Sequence, residues 1–417
     1  MKTHLCKQVV ILGGGFAGLA AALRLARTPG FRREFNVILI DRNCYHLYHG
    51  LLYEVATATY NIRPADLEYL EGGVCIRLKS LGALVTKAQV DFIQAQVTGV
   101  DQSRQRILLA GQPEVPYDQL IVALGAEPSF FGIPGMAEHA LTLQTIPDAL
   151  KIRERVASML AVTDRSQRIV IGGGGFTGVE LAGELMNMLR AEARRQPGRK
   201  GSVSLTVVEA GPGLLTPLGV DFGRRAQQRL RSLGVTFEFG QPIIEATLDA
   251  LKLKDGKSIP FELLIWTGGI AANSLIGHFG IPLAGRGQAA VEASLRVQGR
   301  ENIWAAGDGA AITDPTTGRL VPQTAPQAVA AGTQVADNLV RSLRGQPLLP
   351  FRPAARGFVI PIGGTFALAQ RRYGIIGGWL GWLMRKATDW AYFRSIMSFR
   401  NAWKVFVRGG RVYLRND

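Results

Sequence analysis

A glycine turn set between two apolar runs occurs twice in this chain, and nothing else in the sequence limits the fold so strongly. One copy reads VVILGGGFAGLAAALRLA from Val9 and is followed by NVILIDR from Asn36. The other reads IVIGGGGFTGVELAGEL from Ile169 and is followed by SLTVVEA from Ser204. Each is a β-branched run, a glycine turn, a helix-period stretch, and a second apolar run ending in an acid. This order predicts strand, helix, strand, twice over. Parallel strands need a helical crossover of fixed hand, so each copy predicts a right-handed βαβ unit. The fold class is therefore α/β with two Rossmann-like domains, and 417 residues leave room for both and a further segment.

The spacing inside the turns carries the chemistry. In Gly13-x-Gly15-x-x-Gly18 the first glycine makes the tight turn and the second lets backbone approach a pyrophosphate. The third admits close helix–strand packing, and Asp41 at the end of the next strand accepts from a ribose hydroxyl. Gly173-x-Gly175-x-x-Gly178 repeats the pattern, with Glu209 as its acid. No arginine follows Glu209 before Arg224, which suits a free 2′-hydroxyl and so NADH rather than NADPH. Two such sites imply one dinucleotide held and one exchanged, the arrangement of a flavoprotein oxidoreductase.

Composition removes other classes. The 50 glycines follow no Gly-X-Y period, and a 47% hydrophobic content excludes wholesale disorder. The 3 cysteines, Cys6, Cys44 and Cys75, make no CxxC pair, so neither a disulfide framework nor a metal site is expected. His46 and His49 lack a third ligand and read as packing or flavin-pocket residues. The amino terminus does not read as a signal peptide, and no apolar run is long enough to span a bilayer; Arg371 and Arg372 break the best candidate. The loop Arg194–Ser202 reads as a solvated basic insertion.

The order of first turn, apolar strand ending at Gly125, second turn and late Gly307-Asp308 resembles the FAD enzymes with two dinucleotide-binding domains. Within them the chain resembles the type II NADH:quinone oxidoreductases. YHLYHGLLYEVAT from Tyr45, YDQLIVALGAEPSFFGIPG from Tyr117, GGGFTGVELAGEL from Gly173, IWTGGI from Ile265 and WAAGDGA from Trp304 carry the likeness along nearly the whole chain. The resemblance implies FAD held by Asp41 and Arg42, with Val97 meeting the adenine through its backbone. It places Phe16, Ala17, Gly125, Gly307 and Ala325 around FAD, with Asp308 at the ribityl-pyrophosphate. It also implies that Glu180 lies near flavin and nicotinamide as the catalytic acid, and that Gly268 and Gly269 leave room for stacked rings on the NADH side.

The expected domain division is 1–145 and 274–345 for FAD, 146–273 for NADH, and 346–417 for a carboxy-terminal region. The cysteine placement disfavours disulfide reductases and sulfide:quinone oxidoreductases. Two departures from the family pattern stand out. Pro326 and Ala330 occupy positions where glutamines are expected near the quinone, with Gln323 and Gln327 displaced, and Gly50 replaces a proline. They leave open a soluble diaphorase or a reductase of a small electron-carrier protein; the alternative from another class is a flavin-bearing redox sensor or membrane-docking interaction protein.

The last section concentrates charge and tryptophan. Between Arg371 and Asp417 stand ten Lys/Arg and two acids, and Trp379, Trp382, Trp390 and Trp403 are four of the chain's 6 tryptophans. The recurrence of Trp379, Trp382, Lys386, Trp390 and Phe393 predicts an aromatic helix face with basic flanks, suited to a membrane surface. The rival reading is a helix that packs on the flavin domain or on a dimer partner. No nucleic-acid module accompanies these residues. The resemblance adds a homodimer contact and peripheral attachment, and NADH supply places it on the cytoplasmic side.

Overall fold

The computed structural model describes residues 7–58, 75–77, 90–162, 164–195, 201–354, 357–371 and 374–416, with side chains to 407. Cys6, residues 196–200 of the basic loop, Arg372 and Asp417 lie outside the described residues, as do the side chains of Arg408, Arg411 and Arg415.

Both repeats fold as their patterns require. The first sheet contains β1 (Lys7–Leu12), β2 (Phe35–Asp41), β3 (Asp91–Gln94) and β4 (Gln119–Val122). The second contains β5 (Ala140–Thr142), β6 (Gln167–Gly172), β7 (Val203–Glu209), β8 (Thr236–Phe239) and β9 (Leu263–Trp266). β10 (Ile303–Ala305) returns to the first sheet. The strand orders are β10-β4-β1-β2-β3 and β5-β9-β6-β7-β8, parallel throughout. In each sheet the glycine-bearing strand sits where the strand order reverses, and ligands of open α/β sheets bind at the carboxyl ends of strands at that point. The near-continuous apolar runs are explained by burial on both faces: Val9 to Leu12 and Ile169 to Ile171 are at most 1% exposed.

The helices lock the sheets together. Crossover helix α1 (Phe16–Arg27) joins β1 to β2, α2 (Ile146–Ala161) precedes β6, and α3 (Phe176–Arg195) joins β6 to β7. α4 (Val220–Ser232) follows β7, and α5 (Ala325–Leu343) lies against α1. A side chain at Gly332 of α5 would meet the Ala17 carbonyl at 2.0 Å, so the two backbones touch.

An antiparallel sheet of 359–361, 367–371 and 374–376 leads into α6 (Trp379–Ile396) and α7 (Phe399–Asn416). Arg229 of α4 holds its first turn by donating to the carbonyls of Ile362 and Gly363 at 3.1 and 2.9 Å. No helix among the described residues is long and apolar enough to cross a membrane.

α6 corrects the expected stripe. Trp379 is 65% exposed, whereas Phe393 is buried and Lys386 turns inward to Glu54 at 3.7 Å. The preceding residue, Arg385, also points inward and pairs with Asp389 at 3.3 Å. Two of the supposed flanking cations are thus neutralised inside the protein. Trp390 packs edge-on against Phe399, Trp403 and Phe406 of α7 rather than facing outward. The outward apolar surface is instead Trp379, Leu380, Leu383, Phe399 and Trp403. Glu54 was the missing signal, because an acid so distant in sequence cannot be paired with Lys386 by spacing.

Candidate functional site

The two glycine turns share the same backbone features. Gly13 and Gly173 have φ of +102° and +114°, the left-handed region that favours glycine. A Cβ on Gly13 would meet the Ala123 carbonyl oxygen at 2.3 Å, and one on Gly173 would meet Gly268 at 2.6 Å. Gly18 and Gly178 lie where a Cβ would stand 1.9 and 2.0 Å from the carbonyls of Gly13 and Gly173, so each helix crosses its strand in backbone contact. Gly15 and Gly175 face open space.

The acids are equally matched. Asp41 accepts from the Gly14 and Asn43 amides at 2.6 and 2.7 Å. Glu209 accepts from Gly174 and Gly211 at 2.6 and 2.7 Å. Burial raises the Asp41 carboxyl, and the two amides and Arg42 counter it.

A cavity of about 850 Å³ starts at the first turn, within the size range of ligand sites. Gly13, Gly15, Phe16 and Ala17 form one end, with Asp41, Arg42 and Val97 beside them. Gly125, Gly307, Asp308, Gln323 and Ala325 line its continuation. It ends against Thr177 and Glu180, which belong to the helix of the second turn. The FAD-side residues expected from the sequence are thus brought to one cavity, except Gly18, whose place is under the turn. Gly173, Gly175, Gly178, Glu209, Gly268 and Gly269 gather around the second turn.

Two carboxyls are poised over this cavity. Asp308 is pushed up to about 6 by burial, and its backbone carbonyl accepts from Gln288 and Gln323 at 3.2 and 3.0 Å. Glu180 is pushed up to about 7 by burial; Arg385 draws it down and Asp389 raises it. It is not the surface acid that a helix position alone would suggest. The departure at Gly50 has a physical reason here: its carbonyl accepts from Arg385, and a Cβ would stand 2.8 Å from that guanidinium.

Two of the expected sites have their own surroundings in the structure. The room left by Gly268 and Gly269 is taken by the protein's own rings, because a Cβ would meet Trp266 at 2.5 Å and Phe131 at 2.3 Å. Phe131 itself holds a positive φ of 52° and is 55% exposed. Of the four positions expected near the quinone, only Gln323 lines the cavity. Pro326 is exposed in the first turn of α5, and Ala330 packs against the core. Gln327 donates to the Ala354 carbonyl at 3.1 Å and accepts from its amide at 2.9 Å, so its carboxamide is engaged.

Sequence reasoning also missed Tyr45 and Asp148, which line the cavity, and the Thr145–Asp148 capping box that starts α2 there. The Thr-x-x-Asp pattern could have shown the box. No group of His, Cys, Asp or Glu among the described residues could hold a metal ion.

The residues fit FAD. The first turn has an open glycine where a pyrophosphate would approach, an acid at the end of the next strand, and a cavity lined by both. The fold and the paired turns define a dinucleotide-binding oxidoreductase with two cofactor sites. The chain belongs to the pyridine nucleotide-disulphide oxidoreductase family, whose pattern matches residues 7–332. It is 32% identical to the demethylphylloquinone reductase NdbB of Synechocystis over 373 residues, covering 85% of this chain and 84% of that protein. It is 29% identical to the type II NADH:quinone oxidoreductase of Staphylococcus saprophyticus, covering 86% and 88%. NDH2 of Plasmodium falciparum, solved with NADH, shares the fold with a TM-score of 0.82 at 19% identity, covering 96% and 97%.

Proposed function

We propose that the chain is a type II NADH:quinone oxidoreductase, which oxidises NADH at the second turn and passes the electrons to a membrane quinone without pumping protons. One observation carries this reading: the cavity lined by the first phosphate turn is also lined by Thr177 and Glu180, in the helix of the second. Two dinucleotides seated on the two turns therefore converge. The names of the curated relatives support the same reaction and acceptor.

Bound FAD supplies a two-electron carrier that accepts hydride from NADH and is reoxidised by quinone. The rest falls to the chain. The amino terminus of α1 and the Gly13–Gly15 backbone offer positive partial charge to the pyrophosphate, and that of α3 does the same for NADH. Asp41 and Glu209 hold the riboses, and Asp308 the ribityl-pyrophosphate. Glu180 holds a proton near neutral pH beside the reacting rings, available when quinone is reduced to quinol. Gln323 is the quinone-side contact.

The domain division proposed is 1–145 with 274–345 for FAD and 146–273 for NADH. Region 346–417 then serves for membrane attachment and a homodimer contact. Attachment is peripheral, on the cytoplasmic side where NADH is supplied, through Trp379, Leu380, Leu383 and Trp403.

The engaged carboxamide of Gln327 favours a second reading, in which the acceptor is a small electron-carrier protein. Steady-state NADH oxidation with a short-chain quinone, set beside a ferredoxin-type protein, separates the two. Turnover with quinone alone supports the proposal, and turnover with the carrier alone replaces it.

Nucleotide choice is testable at Glu209. Replacing it with alanine removes the group that repels a 2′-phosphate. The expected result is a KM for NADPH lowered at least roughly tenfold relative to that for NADH, the worth of one charge-assisted contact. An unchanged ratio would show that Glu209 does not face the ribose.

A further inference from the structure

His46 belongs to the stretch beginning at Tyr45, but neither phosphate binding nor metal binding uses it. It is 0% exposed, and both ring nitrogens are engaged. Nδ1 lies 2.9 Å from the Gly14 carbonyl oxygen, and Nε2 lies 2.7 Å from the Tyr392 hydroxyl of α6. The carbonyl can only accept, so Nδ1 carries the hydrogen. Burial keeps the ring neutral, which leaves Nε2 bare, so the Tyr392 hydroxyl must donate to it.

Tyr392 is itself held in place. Its ring stacks on Tyr48 at 5.0 Å and 17°, and the Tyr48 hydroxyl donates to Asp389 at 2.6 Å. Phe16, the first residue of α1, packs edge-on against His46 at 5.0 Å.

The consequence lies in peptide geometry. The Gly14 carbonyl and the Gly15 N–H belong to one planar trans peptide and point in opposite directions. Drawing the carbonyl to His46 therefore turns the Gly15 N–H the other way, on the residue that lines the cavity. The neighbouring peptide is fixed independently, since the Gly14 N–H donates to Asp41.

We propose that Tyr392 is a positioning residue for FAD: through His46, helix α6 fixes the Gly14–Gly15 peptide so that its N–H is aimed at the pyrophosphate. Flavin retention then depends on a carboxy-terminal helix that reaches the phosphate turn through this bridge of two side chains, beside the contact of Tyr392 with Phe16 at 5.3 Å. The inference rests on the first turn holding FAD.

The test uses the full chain and follows FAD release by the rise in flavin fluorescence on dilution. Without its hydroxyl donor, Nε2 is a buried acceptor lacking a partner, and the ring loses the contact that holds it against the Gly14 carbonyl. Tyr392→Phe is expected to release FAD roughly tenfold faster than the parent. His46→Asn offers an amide N–H to the Gly14 carbonyl without needing Tyr392. The double variant His46→Asn/Tyr392→Phe is therefore expected to return close to the parent rate. Release from Tyr392→Phe at the parent rate overturns the proposal. So does a double variant as leaky as Tyr392→Phe alone, since that shows mere loosening of α6. A parent protein that purifies and reconstitutes without flavin overturns the FAD assignment itself.

Discussion

A single methyl group at Gly15 is expected to strip the protein of FAD while leaving its fold intact, whereas the same methyl at Gly18 is expected to damage the fold. A Cβ on Gly15 meets nothing in the protein, so the chain has no reason to object to Gly15→Ala. That methyl stands where the pyrophosphate must come close to backbone, and FAD affinity should fall at least about tenfold, near 1.4 kcal/mol. A Cβ on Gly18 would overlap the Gly13 carbonyl oxygen at 1.9 Å, a backbone atom that cannot give way as the end of a flexible side chain could. Forcing α1 off β1 should cost about 1–3 kcal/mol or more of stability. Chemical unfolding of the flavin-free proteins, together with FAD titration, separates the two effects. Equal stability losses in both variants would contradict this division of labour.

The second large effect is at Glu180. Its carboxyl, ordinarily near 4.5, is pushed up to about 7 by burial. Below the lower value the acid is protonated in folded and unfolded chains alike, and stability is unaffected. As pH rises through the interval, the unfolded chain gives up its proton while the folded one retains it. Stability therefore falls, and the loss is complete above about 7. Glutamine has no proton to lose. Glu180→Gln should melt with the parent at pH values near the lower end and exceed it by up to about 3 kcal/mol in mild alkali. A melting difference that stays constant with pH would show that the carboxyl is not held protonated. On the role proposed for Glu180, reoxidation by quinone should also slow in the same variant, because glutamine has no acidic proton to give.

What the sequence revealed was local. The turns, helices and acids of both cradles lie within short βαβ units whose periodicity and glycine spacing fix their geometry, and Asp41 and Glu209 fall where the pattern puts them. What stayed hidden depended on long-range pairing. His46 is 346 residues from Tyr392, and no spacing rule joins them. Lys386 and Arg385 looked like exposed cations until Glu54 and Asp389 were found beside them in the interior. Gly268 and Gly269 do mark missing side chains, but which rings fill the space was decided by Trp266 and by a strained Phe131 from another loop. The displaced glutamines were visible in the chain; that Gln327 is tied to Ala354 while Gln323 faces the cavity was not.

The most direct test of the central claim is the anaerobic absorbance of the purified protein, first with NADH and then with a short-chain quinone. The expected result is bleaching of the oxidised-flavin band near ~450 nm by NADH and its return on adding quinone, both set by the bound cofactor. A band that NADH bleaches and quinone leaves bleached would contradict the quinone as acceptor, and a band indifferent to NADH would contradict the convergence of the two cradles.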